Sequence, residues 1–233
     1  NRVQVRYPIL LQRGATWAAA VTLPANSDVP SGFVFVPAGR YIAGRDADAV
    51  NYSGIARPDG WVEVPDYYIQ RFPVTCREYL EFLNDREFHD VETAVKHAPR
   101  IHVFDQSYWH AHGDVIDFHS PWQPDWPVLN ISGLDAGLFA KWYTRRHGTG
   151  RLLFRLPSED EWEKAARGTD GRFFPYGLHH DPGFGRMEAS RLNATDPEPI
   201  GLFPADESPY GVRDMAGVAR NWTTTPAGRQ GQW

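Results

Sequence analysis

An α+β fold with little regular secondary structure follows from three features of the sequence. Nine Trp, ten Tyr and thirteen Phe stand beside 21 Gly and 19 Pro, so turns are frequent and large rings must hold irregular backbone together. Three segments carry helix-start signals. The apolar runs elsewhere are short and bounded by Gly and Pro, as strands are. A helix bundle or a doubly wound sheet would show longer periodic segments.

Taken in order, residues 1–24 hold β-favouring pieces (Val3 to Val5, Ile9 to Leu11, Ala20 to Leu23), and Pro24 to Gly32 reads as a linker. Phe33 to Val36 is a strand stopped by Pro37-Ala38-Gly39, and Arg40 to Gly44 returns as a second. Asp46 to Gly60 is polar and loop-like; Val62 to Val64 and Tyr67 to Ile69 are further strand pieces. Thr75 caps a short amphipathic helix from Cys76 to Asn84, with Glu78 as its capping-box partner. Residues 85–127 show no periodicity, which predicts a functional or partner-bound stretch rather than core. Ser132, with Asp135, starts a helix to about His147, stopped by Gly148; Leu134, Leu138, Phe139 and Trp142 share one face. Ser158, with Glu161, starts another that ends at Gly168, with Trp162, Ala165 and Ala166 inward. Turns follow to the end.

Length and charge exclude several classes. A chain of 233 residues is one large domain or two small ones. The net charge of -5 and the scattered basic residues give no footprint for nucleic acid. No apolar run is long enough for a membrane helix, and the start at Asn1 carries no signal core. The lone Cys76 excludes an internal disulfide and a thiolate metal cage, which suits a cytoplasmic setting.

Four motifs narrow the reading. They are Phe33 to Gly39 with Pro73-Val74-Thr75; Asp125-Trp126-Pro127-Val128 with Ile131-Ser132 and Asp135-Ala136; the run from Arg155 to Gly168; and Ser208 to Gly217, ending at Asn221-Trp222. Together they resemble the formylglycine-generating enzyme (sulfatase-modifying factor) family. The resemblance implies a C-type-lectin-like fold over residues 31–233, preceded by a β-rich appendage and linker at 1–30. Residues 1–36, Phe184 to Met187 and Ser208 to Gly217 resemble the bacterial versions appended to serine/threonine kinases. No kinase signature is present in these residues.

The family's enzymes bind copper through a cysteine pair near the C-terminus and oxidise a substrate cysteine to formylglycine. That pair would lie beyond Trp233, so the resemblance implies that the C-terminal part of the domain is missing here and assigns no catalytic residue. Its calcium motif is altered: Gly217, Ala219 and Asn221 keep carbonyl and amide oxygens, while Val218 and Asn221 replace an amide and a carboxylate. Asn193 belongs to the second, shortened calcium loop. Trp222 resembles a tryptophan at the family's active-site groove. It is grouped with Arg220, Tyr108 and Trp109 as a ligand-binding groove, with Trp122 and Trp126 as further aromatics; core packing is the other reading.

Other clusters have structural readings. His110 and His112 alternate, so a strand would put both on one face able to ligate zinc or copper, against solvated loop residues. Glu159, Asp160, Glu161 and Glu163 favour a helix N-terminus. Cys76 reads as a buried inert thiol, and Arg167 with Asp214 as an internal ion pair. The function expected is a non-catalytic ligand- or protein-binding module of a larger bacterial signalling protein, such as a kinase, or a retroelement-diversified variable protein. The alternative is the copper-dependent oxidase.

Overall fold

The computed structural model describes residues 4–18, 20–44, 60–101, 106–191 and 196–225. Four strands open the fold: β1 (Phe33–Val36), β2 (Gly39–Ala43), β3 (Gly60–Val64) and β4 (Tyr67–Gln70). β1 pairs antiparallel with β4 and β2 with β3, so Val36 faces Tyr67 and Gly39 faces Val64. The four make one long ribbon broken in the middle. The break falls at Pro37-Ala38 against Pro65-Asp66, because proline has no N–H to give a ladder.

Two helices follow, α1 (Cys76–Leu83) and α2 (Val91–Lys96), then two small antiparallel hairpins. β5 (Arg100–Ile101) pairs with β6 (Gln106–Ser107), and β7 (His110–His112) with β8 (Val115–Asp117). The long helices are α3 (Gly133–His147) and α4 (Glu159–Arg167). The capping boxes read from the sequence are all present: Thr75 with Glu78, Ser132 with Asp135, and Ser158 with Glu161. Among the described residues no helix is long and apolar enough to cross a membrane.

The largest core cluster joins α1, α2, the β7–β8 hairpin and α3 through Tyr79, Phe82, Ala94, Trp109, Ile116, Phe139 and Trp142. A second cluster packs Val36 and Ala165 against Tyr210 and Val212, and a third holds Tyr41, Ala43 and Val64. Helix α4 locks the broken ribbon. Fully buried Lys164 donates from Nζ to the carbonyls of Pro37 (2.6 Å), Gly39 (3.0 Å) and Val64 (3.4 Å). The carbonyls it takes flank the proline break. Tyr41 donates to Asp160 (2.8 Å) and Glu163 (3.0 Å), and the Gly44 N–H to Glu163 (2.9 Å). The acidic run is therefore structural, but two of its four members, Asp160 and Glu163, tie the helix to the ribbon. Glu161 alone acts as the cap partner, and Arg155 beside it holds its carboxyl below the usual range.

Several expectations need correction. Residues 85–127 are not outside the core: Trp109 and Ile116 in this stretch are fully buried. Their elements are two to six residues long, too short to show a period. The apolar pieces at 9–11 and 20–23 form no strand; Ile9, Leu10 and Leu11 are exposed on an extended arm without ladder partners. Val3 and the loop at 46–59 lie outside the described residues, and Gly60 starts β3 instead of ending the loop. Leu134, in the first turn of α3, leaves the buried face and is exposed. Trp162 is half-buried on α4. Arg167 does not pair with Asp214: it bonds Glu163 and the carbonyls of Gly44 and Arg172, while Asp214 accepts the Gly201 N–H.

Candidate functional site

The N-termini of α3 and α4 are bridged by one C-terminal segment, and the site is built there. Asn130 takes a left-handed backbone (φ 59°) ahead of the Ser132 cap. That turn leaves the Ile131 carbonyl free to accept the Trp222 Nε1–H at 3.0 Å. The Trp222 ring lies on Gly133, where an added Cβ would stand 3.3 Å from its Cε3. Two residues on, the Thr224 N–H donates to the Pro157 carbonyl (2.9 Å), and Thr225 Oγ1 accepts the Glu159 N–H (3.0 Å). The segment thus satisfies a free donor of α4 while resting on the start of α3.

Trp222 is held on one side and open on the other, 43 % exposed. Leu134 beside Gly133 is 71 % exposed. The surface continues through backbone bonds: Asn130 accepts the Arg100 N–H (3.0 Å) and Pro99 accepts the Tyr108 N–H (2.8 Å). Tyr108 is 37 % exposed, its ring 5.5 Å from that of half-buried Trp122. Beneath, His97 Nδ1 lies 2.7 Å from buried Asp135, whose other oxygen accepts from the Ser132 backbone and hydroxyl. The arrangement offers rigid aromatic faces and backbone edges for contact.

The expected groove residues therefore divide. Trp222, Arg220 and Tyr108 are on the surface. Trp109 is not: it is fully buried against Phe118, Trp122 and Tyr79. The two residues lie in the bend between β6 and β7, where Trp109 turns into the core and Tyr108 is left outside. Trp126 is core as well. Ile131 and Gly133 were missed; the glycine directly after a cap serine was the available signal.

The calcium residues fare differently. Gly217 has φ +88°, and a Cβ there would come within 2.6 Å of the Arg186 carbonyl, so glycine is required by a close approach. The Asn221 amide donates to the Ala219 carbonyl at 3.3 Å, and no carboxylate occurs from 217 to 225. That donor set does not fit calcium. Asn193 lies outside the described residues. The family's copper site uses a thiolate pair, and Cys76 is a single buried thiol, pushed up to about 12 by burial. Among the described residues no group of three or more His, Cys, Asp or Glu could hold a metal.

The model of the sulfatase-modifying factor enzyme 1-like domain matches residues 19–232, and the chain belongs to that family. It is 30% identical over 222 residues to the hercynine oxygenase of Mycolicibacterium smegmatis, covering 88% of this chain and 48% of that protein. It is 27% identical over 229 residues to the inactive C-alpha-formylglycine-generating enzyme 2 of Mus musculus, covering 84% of this chain and 70% of the relative. The chain thus spans about half the length of the first of these. The structure of PvdO from Pseudomonas aeruginosa shares the fold, with a TM-score of 0.58 at 24% identity over 82% of this chain and 70% of that one.

Proposed function

We propose that this chain is a non-catalytic ligand- or protein-binding domain, with Trp222, Arg220 and Tyr108 at its contact surface. The observation that carries the reading is Trp222, pinned through Nε1 and by Gly133 yet open on its outer face. A large ring already fixed in place loses little entropy on binding and serves as an anchor. The reading includes a C-type-lectin-like scaffold at 31–233 and a separate arm at 1–30. It places the domain as the recognition module of a larger bacterial signalling protein, such as a cytoplasmic serine/threonine kinase, or of a retroelement-diversified variable protein. The eroded Gly217 to Asn221 donor set and a relative named as inactive support it.

A second reading is the copper-dependent oxidase that converts a substrate cysteine to formylglycine. Family membership and an oxygenase among the relatives favour it. It requires a cysteine pair beyond Trp233, which intact mass and peptide mapping of the protein from its source would reveal.

Binding is tested with glycan and peptide arrays, probed with the wild-type chain and with Trp222→Ala. Array features bound by the wild type and lost in the variant, with an unchanged circular dichroism spectrum, are the expected result. Equal binding by both proteins, or no feature bound by the wild type, would sink the reading.

A further inference from the structure

The β7–β8 hairpin turns Ile116 into the core and leaves His110, His112, Val115 and Asp117 on its outer, exposed face. Asn84 holds it in place: its Oδ1 accepts the Ile116 N–H and its Nδ2 donates to the Ile116 carbonyl, both at 2.8 Å. After β8 the Phe118 ring packs 4.9 Å from that of buried Trp109, and the His119 carbonyl accepts the Trp122 N–H at 3.0 Å. The backbone on both sides of His119 is thereby fixed to the core.

This brings His119 against His112. Their Nε2 atoms are 3.4 Å apart, with the rings inclined at 63°. Strand alternation pointed to His110 as the partner of His112; the chain instead folds the residue seven positions on against it. Two facing imidazole nitrogens are satisfied either by one N–H donating to the other or by a cation accepting both lone pairs. Zinc–nitrogen bonds of about 2.0–2.1 Å at a tetrahedral angle separate two ligating nitrogens by about 3.3–3.4 Å. Adjacent corners of a square-planar centre with similar bonds lie about 2.9 Å apart, so the observed spacing suits zinc better than cupric ion.

We propose that His112 and His119 form a two-histidine zinc site on the outside of the β7–β8 hairpin. Among the described residues no third His, Cys, Asp or Glu joins them to make a protein cage. The ion keeps its other positions for water or for a donor atom of a bound molecule. Both rings ligate through Nε2 as imidazoles that carry their proton on Nδ1. The site is independent of the Trp222 surface.

The test is calorimetric titration of the EDTA-stripped full chain with zinc chloride. The wild type binds one zinc per chain. His112→Ala and His119→Ala each lose that binding, and His110→Ala keeps it. All three positions are exposed, so the variants fold, which circular dichroism checks. The chain has nine histidines, so the double variant His112→Ala/His119→Ala is the decisive control. One-per-chain binding that survives in it, or no binding by the wild type, overturns the proposal.

Discussion

Asp206 is fully buried, and its Oδ2 accepts the Ala216 N–H at 2.9 Å while Oδ1 has no partner. Burial raises its carboxyl from the ordinary 3.8 to about 6, with buried Asp214 nearby adding to the rise. A folded-state value above the unfolded one favours the neutral acid on folding. Its stabilising contribution is full below about pH 4 and is lost as the pH rises through about 6. Asp206→Asn keeps the acceptor for Ala216 and cannot ionise. The melting temperature of this variant relative to wild type should therefore climb between pH 4 and pH 7.5, by the equivalent of roughly 2–3 kcal/mol. A flat difference across that range would show that the carboxyl titrates normally. Residue-scale facts of this kind were the least legible in the sequence. Nothing local separates Trp222 from Trp109, or predicts that His119 meets His112, because exposure and pairing are set by elements far along the chain.

At the scale of elements, sequence reading succeeded where the information is local. Each long helix is announced by a cap residue and its partner three positions on, a pattern fixed by which backbone donors are free. Helix α2 was missed although Asp90 caps it by accepting the Thr93 N–H (2.7 Å), because six residues show too little of a period. The end of α4 is as local as its start. Gly168 has φ +70°, and a Cβ there would lie 2.8 Å from the Pro209 Cγ. Gly168→Ala combines a disfavoured backbone with a clash against a stiff ring, and should cost about 1–3 kcal/mol in urea unfolding. A loss below that range would mean that the Ser208 to Gly211 turn moves aside freely.

For the whole molecule, the three buried clusters contain none of the described residues of the N-terminal arm. The described arm is tied by an exposed Arg6–Glu207 pair (2.5 Å) and a long Tyr7–Ala38 hydrogen bond (3.4 Å), and the Tyr7 ring packs tilted against Trp17 (5.3 Å) rather than entering the core. Exposed pairs of this kind contribute little. Deleting residues 1–18 should leave the circular dichroism spectrum of the remainder unchanged and lower the melting temperature by only a few degrees. Collapse of the truncated chain would instead make the arm part of the domain. The family was legible because four motifs sit at element boundaries, where backbone geometry restricts the residue type.

Lys164 carries one more consequence. The chain has three lysines, and Lys96 and Lys141 are exposed while Lys164 spends its three donors on buried carbonyls at the ribbon break. An acylating reagent therefore meets two open side-chain amines in the native protein and a third only when α4 leaves the ribbon. The molecule contains its own clock for that departure: the rate at which the third lysine becomes labelled reports how often the two halves of the fold come apart.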